Sequence, residues 1–397
     1  MKTITAANGF DIPTTAARLR IYVSVQKRCL KIISGWFLAA PRYEDKYKIG
    51  YHLFEHSEHV GMWRQRLIEL RGGKPDASIP PALSQLLNEV NDAPNTDSMI
   101  SALYGIVIRS LHDTLSQHLD KADLSANAAE IRLLKRILPE LKSQLNWFDE
   151  REAGDVDNEW LSGIQNYLDR QCDGLLGESG FGERPNIPNS RPFRRPATIT
   201  FDERIGHEEL LPYEKREQLN YDESLIEQFR IFFNEFYAAG FLATILYDAL
   251  EEGDYSWEMI ADFSRHFWDE VRHSEFGAIR LKELGTEPTG CNLTLFHEAE
   301  NMPILHRIIY LTRGLEAYFM PRKQPRAKTY AEAGDLRSQL FADQDWSDEI
   351  NHVRYGSKWS EHLLEEDHRT QDDVIEEIKQ HLGKVRGVEC VAIAAPF

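Results

Sequence analysis

Two short stretches of the chain carry the same chemistry. "FWDEVRHSEF" (267 to 276) and "WSDEINHVRY" (346 to 355) each place Asp, Glu and His in the pattern Asp-Glu-x-x-His. Residues three apart on a helix share a face, so Glu270 with His273, and Glu349 with His352, each offer a carboxylate and an imidazole to one neighbour. Each pair is half of a metal site. A di-metal site in a helical bundle also needs a lone carboxylate from each of two further helices. Glu235 in "IFFNEFYAAGFLATILY" and Glu316 in "IIYLTRGLEAYFM" qualify, because both interrupt apolar runs where a bare carboxylate is costly without a metal or a hydrogen-bond partner. The order Glu235, Glu270-x-x-His273, Glu316, Glu349-x-x-His352 allots one set to each long helix. Carboxylates with imidazoles suit two divalent ions of the iron or manganese kind and leave coordination positions open for oxygen. A single Glu-x-x-His is more often an exposed helix-face pair; only the combination is specific.

Neighbouring residues extend this reading. Asp269 and Asp348 precede the paired glutamates and lie one turn ahead of each His. Metal-bound imidazoles are commonly oriented by a carboxylate, which makes these aspartates candidates to support the His of the facing helix. His266, one turn before Glu270, is a weaker candidate for an additional ligand or proton donor. Tyr237, Tyr318, Trp268 and Trp346 lie close in sequence to the ligand set, although packed aromatics are the commoner outcome. Arg272, Arg280, Arg313 and Arg322 are near enough in sequence to receive a carboxylate substrate, although most helix arginines simply face solvent.

The set resembles the ferritin-like di-iron carboxylate superfamily. "DEVRH" matches the Asp-Glu-x-Arg-His pattern of the bacterial multicomponent monooxygenase hydroxylases, and "DEINH" matches except for Asn351 in place of Arg. The resemblance covers roughly 222 to 365 in motifs and the N-terminal half only in shape. It implies a non-haem di-iron oxygenase or oxidase that activates O2 to oxidise a small organic substrate. Glu235, Glu270, His273, Glu316, Glu349 and His352 would hold two Fe ions, or Mn and Fe. Hydroxylation, desaturation and amine N-oxygenation all remain open, and an iron-binding storage or scaffold protein without oxygenase activity is the alternative. No flavin, nucleotide or ferredoxin fingerprint occurs, so electrons are expected from an external donor.

These residues must be positioned by helices. Apolar residues recur three and four apart, and β-branched alternation is nearly absent, so the chain is expected to be all-α. Helices are expected near 15–38, 43–71, 97–121, 126–150 and 157–171, then near 222–252, 255–285, 297–320 and 346–382, with a short one near 331–341. The Gly- and Pro-rich stretch at 172–205 reads as a linker between residues 1–171 and 206–397. The halves also echo each other. "YHLFEHSEHVGMWRQRLIEL" (51 to 70) lies without a gap on "RHFWDEVRHSEFGAIRLKEL" (265 to 284), pairing His52 with His266 and His59 with His273. With the family resemblance, this implies two tandem ferritin-like four-helix bundles, the first degenerate and the second with an intact di-metal site. In the first, His56 stands where Glu270 would and His112 where Glu316 would, so it should not hold the same cluster. His52, His56, His59 and His112 could form a different single-metal or haem site, although helix histidines at this spacing are more often hydrogen-bonded core or interface residues.

Composition narrows the partners. The formal net charge of −18 disfavours nucleic acid. No apolar run reaches a membrane span, and the N-terminus shows no leader pattern, so a soluble, cytoplasmic protein is expected. The cysteines, at 29, 172, 291 and 390, are scattered without a metal or redox spacing, and buried free thiols are expected. A homodimer is the commonest assembly for such a chain.

Overall fold

The computed structural model describes residues 9–76, 80–152, 154–172, 174–176, 187–211, 213–216, 218–291 and 294–386. These are helical, with no strand among the described residues and one isolated bridge between His207 and Gly290. The N-terminal eight residues, Cys390 and much of the expected linker (173 and 177–186) lie outside them. Cys29 and Cys291 are free and buried.

The chain forms two compact units, Met1–Ile33 with Glu55–Arg194, and Ser34–Phe54 with Arg195–Phe397. The end of the first helix and the start of the second therefore belong with unit 2. The early helices are α1 (Ile12–Ala39), α2 (Tyr43–Glu69), α3 (Pro81–Asn91), α4 (Thr96–Ala102), α5 (Arg109–Lys121), α6 (Ala128–Glu150) and α7 (Asn158–Tyr167), with a π-helical turn Leu103–Ile108 joining α4 to α5. The later ones are α8 (Tyr213–Arg216), α9 (Tyr221–Phe233), α10 (Phe236–Glu252), α11 (Trp257–Glu283), α12 (Thr294–His297), α13 (Ile304–Ile308), α14 (Ala317–Glu332), α15 (Leu336–Glu366) and α16 (Gln371–Arg386).

In unit 2, α11 packs on α9, α10 and α15, and α15 packs on α14 and on the π-helical segment Ile309–Glu316 that joins α13 to α14. Local signals set the ends. Asn220 and Glu223 form a reciprocal capping box at the start of α9, Ser256 caps α11, and Gly253 closes α10 in the left-handed conformation. The stretch Tyr221–Glu252 is long and apolar enough to cross a membrane, yet 83% of its most apolar window is buried inside the protein, as in a core helix.

Expected helix boundaries moved most beyond residue 290. The helix placed at 297–320 runs from Ile304 through the π segment to Glu332, past Pro321 and Pro325. Both prolines are exposed, so water can solvate the carbonyls they leave unbonded, while Lys323, Ala327 and Tyr330 on the opposite side are buried. No separate helix spans 331–341. The turn at 333–335 ends α14, and Asp335 caps α15 by accepting a hydrogen bond from the Ser338 amide. The helix placed at 346–382 starts earlier, at Leu336, and breaks between Glu366 and Gln371.

Candidate metal centre

The six residues read as ligands converge in unit 2, each placed by its own element. Glu235 sits at an interruption between α9 and α10. Asn234 holds that break to the 289–291 loop: its side chain donates to the Thr289 carbonyl at 3.0 Å and accepts from the Cys291 amide at 2.9 Å. Gly277 of α11 packs against the same break, where a Cβ would stand 2.1 Å from the Phe233 nitrogen. Glu316 ends the π-helical segment, whose widened turn lies against α15; a Cβ on Gly356 would meet Thr312 Oγ1. Glu270 and His273 come from α11, and Glu349 and His352 from α15.

Two overlapping clusters result. In the first, His266, Glu270, Glu316 and His352 present donor atoms within 4.8 Å of one another; the second joins Glu235, His273 and Asp345, and Glu270, His273 and Glu349 bridge the two. His266 Nε2 lies 2.7 Å from Glu316 Oε1, and His352 Nδ1 lies 3.3 Å from Glu270 Oε1. The His266 and His352 rings stack with centroids 3.7 Å apart. His273 Nδ1 lies 3.2 Å from Glu235 Oε2, but neither atom makes a hydrogen bond of acceptable geometry.

The outer faces of the imidazoles are tied down crosswise. His273 Nε2 donates to Asp348 at 3.2 Å, and His352 Nε2 to Asp269 at 3.4 Å. One arginine serves both aspartates, since Arg272 donates to Asp269 and to Asp348, and Arg265 adds a further bond to Asp269. This accounts for Asn351 in the second motif, which is half-buried and bonds its own helix at the Ser347 carbonyl.

Electrostatics follow from five carboxylates around a buried centre. Burial pushes Glu235 up to about 7, against the pull of Lys323. Burial acts the same way on Glu270, but the imidazoles of His266, His352 and His273 close by hold it well below the usual carboxylate range. For His352 burial disfavours the proton, yet Asp269, Glu270, Glu316 and Glu349 outweigh it and raise the group to about 10. His273 is raised likewise by Asp348, Glu235, Asp345 and Glu270.

Sequence reasoning missed two residues and undervalued a third. Asp345 lies one turn before Glu349, as His266 lies one turn before Glu270, so a search at that offset in both motifs would have found the pair. Lys323 was not weighed at all. Its buried ammonium donates to Asp345 at 2.6 Å and Glu349 at 2.9 Å, and those carboxylates raise its pKa against the effect of burial. It follows Glu316 by seven residues, two turns along the same helical run. Other candidates do not join the centre. Tyr237 donates its hydroxyl to the Cys291 carbonyl, Tyr318 is half exposed, and Trp268 stacks on Phe54 beside Arg272. Arg280 bonds Ser338 and Asp335, and Arg313 bonds Ser357.

The residues fit a metal. Glu235 Oε2, Glu316 Oε2, Glu349 Oε2, Asp345 Oδ2, His273 Nδ1 and His352 Nδ1 are all buried without a hydrogen-bond partner. Buried polar atoms are rarely left so, and six from the two interlocking clusters are a donor set able to hold metal. Comparisons of the chain with protein-family models, with curated proteins and with solved structures give no match.

Proposed function

We propose that unit 2 is a ferritin-like bundle holding two iron ions, or manganese and iron, and that the protein is an O2-dependent oxidoreductase acting on a small organic molecule. The observation that carries this reading is the set of six unpartnered buried donor atoms, drawn from four helical segments. Five carboxylates against one lysine leave an excess negative charge that two divalent cations would cancel. When bound, such ions supply redox chemistry and dioxygen activation that no side chain provides.

The chain supplies the rest. Asp269 and Asp348 fix which imidazole nitrogen carries the proton, leaving Nδ1 of His352 and His273 turned inward. Glu270 reaches both clusters and would bridge them. Glu235, Glu270, Glu316 and Glu349 line a cavity of about 470 Å³ that none of the three histidines lines, so a substrate would approach the carboxylate side. Leu219, Ile231, Ala238, Phe296, Leu311 and Leu315 wall that cavity, and apolar walls exclude water from the reacting groups. Reducing equivalents would come from an external donor. The acidic chain is read as a soluble, cytoplasmic protein that binds neither nucleic acid nor membrane, with a homodimer as the default assembly.

One observation favours a second reading, a ferritin-like scaffold without catalysis: Lys323 neutralises Asp345 and Glu349 from within the chain. Anaerobic reconstitution with Fe(II) separates the two. About two irons per chain, lost in a Glu270→Ala, Glu349→Ala double variant, together with iron-dependent oxygen uptake, supports the oxidoreductase. Wild-type protein that retains no metal leaves the scaffold.

A further inference from the structure

The cavity over the glutamates has a charge pattern of its own. The four glutamates and Lys323 line it, and so do Arg216, Arg322 and Arg326. Two of these arginines are engaged. Arg216 donates to the Leu211 carbonyl at 2.6 Å and lies 3.5 Å from Glu227, a carboxylate that also accepts from the Leu211 amide. Arg322 sits over the rings of Tyr318 and Phe319 at 5.2 and 5.4 Å. Arg326 is different. Among the described residues no carboxylate pairs with it, and its half-buried guanidinium rests 5.9 Å over the Phe232 ring. It follows Lys323 by one helical turn on α14, so an axial rise of about 4.5 Å separates the residue bound to Glu349 from the unpaired arginine.

We propose that this cavity takes an organic monocarboxylate with an apolar body, its carboxylate paired with Arg326 and its body lying along the leucine, isoleucine and phenylalanine wall toward the glutamates. The volume of about 470 Å³ is that of a site for a small organic ligand. One unpaired guanidinium offers two parallel N–H donors, which match one planar carboxylate. A cationic amphiphile would bring its charge beside three arginines, and a phosphate dianion would want more free donors than one arginine has. The oxidation of the bound acid rests on the di-metal reading; its binding does not.

Calorimetry on the full chain, metal-free and after anaerobic Fe(II) loading, tests this with decanoate, decanol, decylamine and decyl phosphate as probes. Decanoate should bind, Arg326→Gln should weaken it by about tenfold or more, and decanol should bind both proteins equally, which also reports that the variant is folded. Arg326→Lys should fall between, and Ile231→Trp should weaken decanoate and decanol together by filling the cavity. The proposal is overturned if decanoate binds no better than decanol or decylamine, if decyl phosphate binds about tenfold tighter, or if Arg326→Gln changes nothing. Arg326-dependent decanoate binding in a protein that retains no iron would sink the oxidoreductase reading and leave this one standing; iron retention without decanoate binding would do the reverse.

Discussion

Buried histidines occur in both units, and His59 in unit 1 is used differently from His273 and His352 in unit 2. In unit 1, His59 on α2 spends both ring nitrogens on the protein: Nε2 donates to Glu140 at 2.6 Å, and Nδ1 accepts from Gln26 at 3.4 Å. In unit 2, His273 and His352 each spend Nε2 on an aspartate and leave Nδ1 among carboxylates without a hydrogen bond. An imidazole with both nitrogens engaged has no lone pair to give, whereas one held from behind presents its lone pair forward. The two helices match in sequence register at 59 and 273, yet His59 has both nitrogens engaged while His273 keeps Nδ1 open among carboxylates.

The widest separation between the units should come from Glu270→Ala. Glu270 approaches both clusters, so metal content should fall from about two ions per chain to near none, while His59→Ala and Glu140→Ala leave it unchanged. Elemental analysis of reconstituted protein reads this directly, and equal loss in the unit 1 variants would erase the contrast.

Lys323→Met should come next. Removing the ammonium leaves Asp345 and Glu349 buried and unpaired, which should cost the metal-free protein about 3–5 kcal/mol and lower its Tm. Metal affinity should rise, because the competing cation is gone. Arg66→Met in unit 1 breaks a bond to buried Glu130 from a partly exposed arginine and should leave metal affinity untouched. A tighter metal-free fold in Lys323→Met would contradict the charge argument.

pH should act on His352 of unit 2 and His118 of unit 1 with opposite sign. His352 is raised to about 10 from an ordinary 6.5, so its contribution to the metal-free fold is complete below pH 6.5 and lost as pH rises through 10. Burial lowers His118 in unit 1 to about 4, so its contribution is complete above 6.5 and lost as pH falls through 4. Each is worth on the order of a few kcal/mol. Ring-proton NMR titration of metal-free protein should find the two transitions on opposite sides of neutrality. Metal should abolish only that of His352 and release protons as it binds, so affinity should climb with pH.

A smaller difference concerns close helix contacts. Gly277→Ala would force a Cβ to within 2.1 Å of the Phe233 backbone nitrogen, whereas Gly105→Ala in unit 1 meets the edge of the Phe148 ring at 3.1 Å, and a ring edge can yield. The first should cost about 1–3 kcal/mol and the second less, and it should also loosen metal by displacing Glu235. Thermal melts and metal retention of the two variants compare them.

Much of the centre was legible because helix periodicity is local. Glu270 with His273, and Glu349 with His352, share a face whatever surrounds them, and Glu235 and Glu316 stand out as carboxylates in apolar runs. The boundaries were less legible. Pro321 reads as a stop, but it lies on an exposed face where the carbonyl it leaves unbonded is open to solvent. Asn234 reads as an ordinary helix residue until the 289–291 loop arrives to take its amide.

The sequence by itself determined an all-α chain and which helix faces carry carboxylate and imidazole, since both depend on spacings of three and four residues. Only the tertiary structure decided that Lys323 reaches Asp345 and Glu349, that one arginine serves both supporting aspartates, and that the glutamates rather than the histidines face the cavity. Those facts join residues from different helices, and their meeting is set by how the helices pack, which no local spacing records.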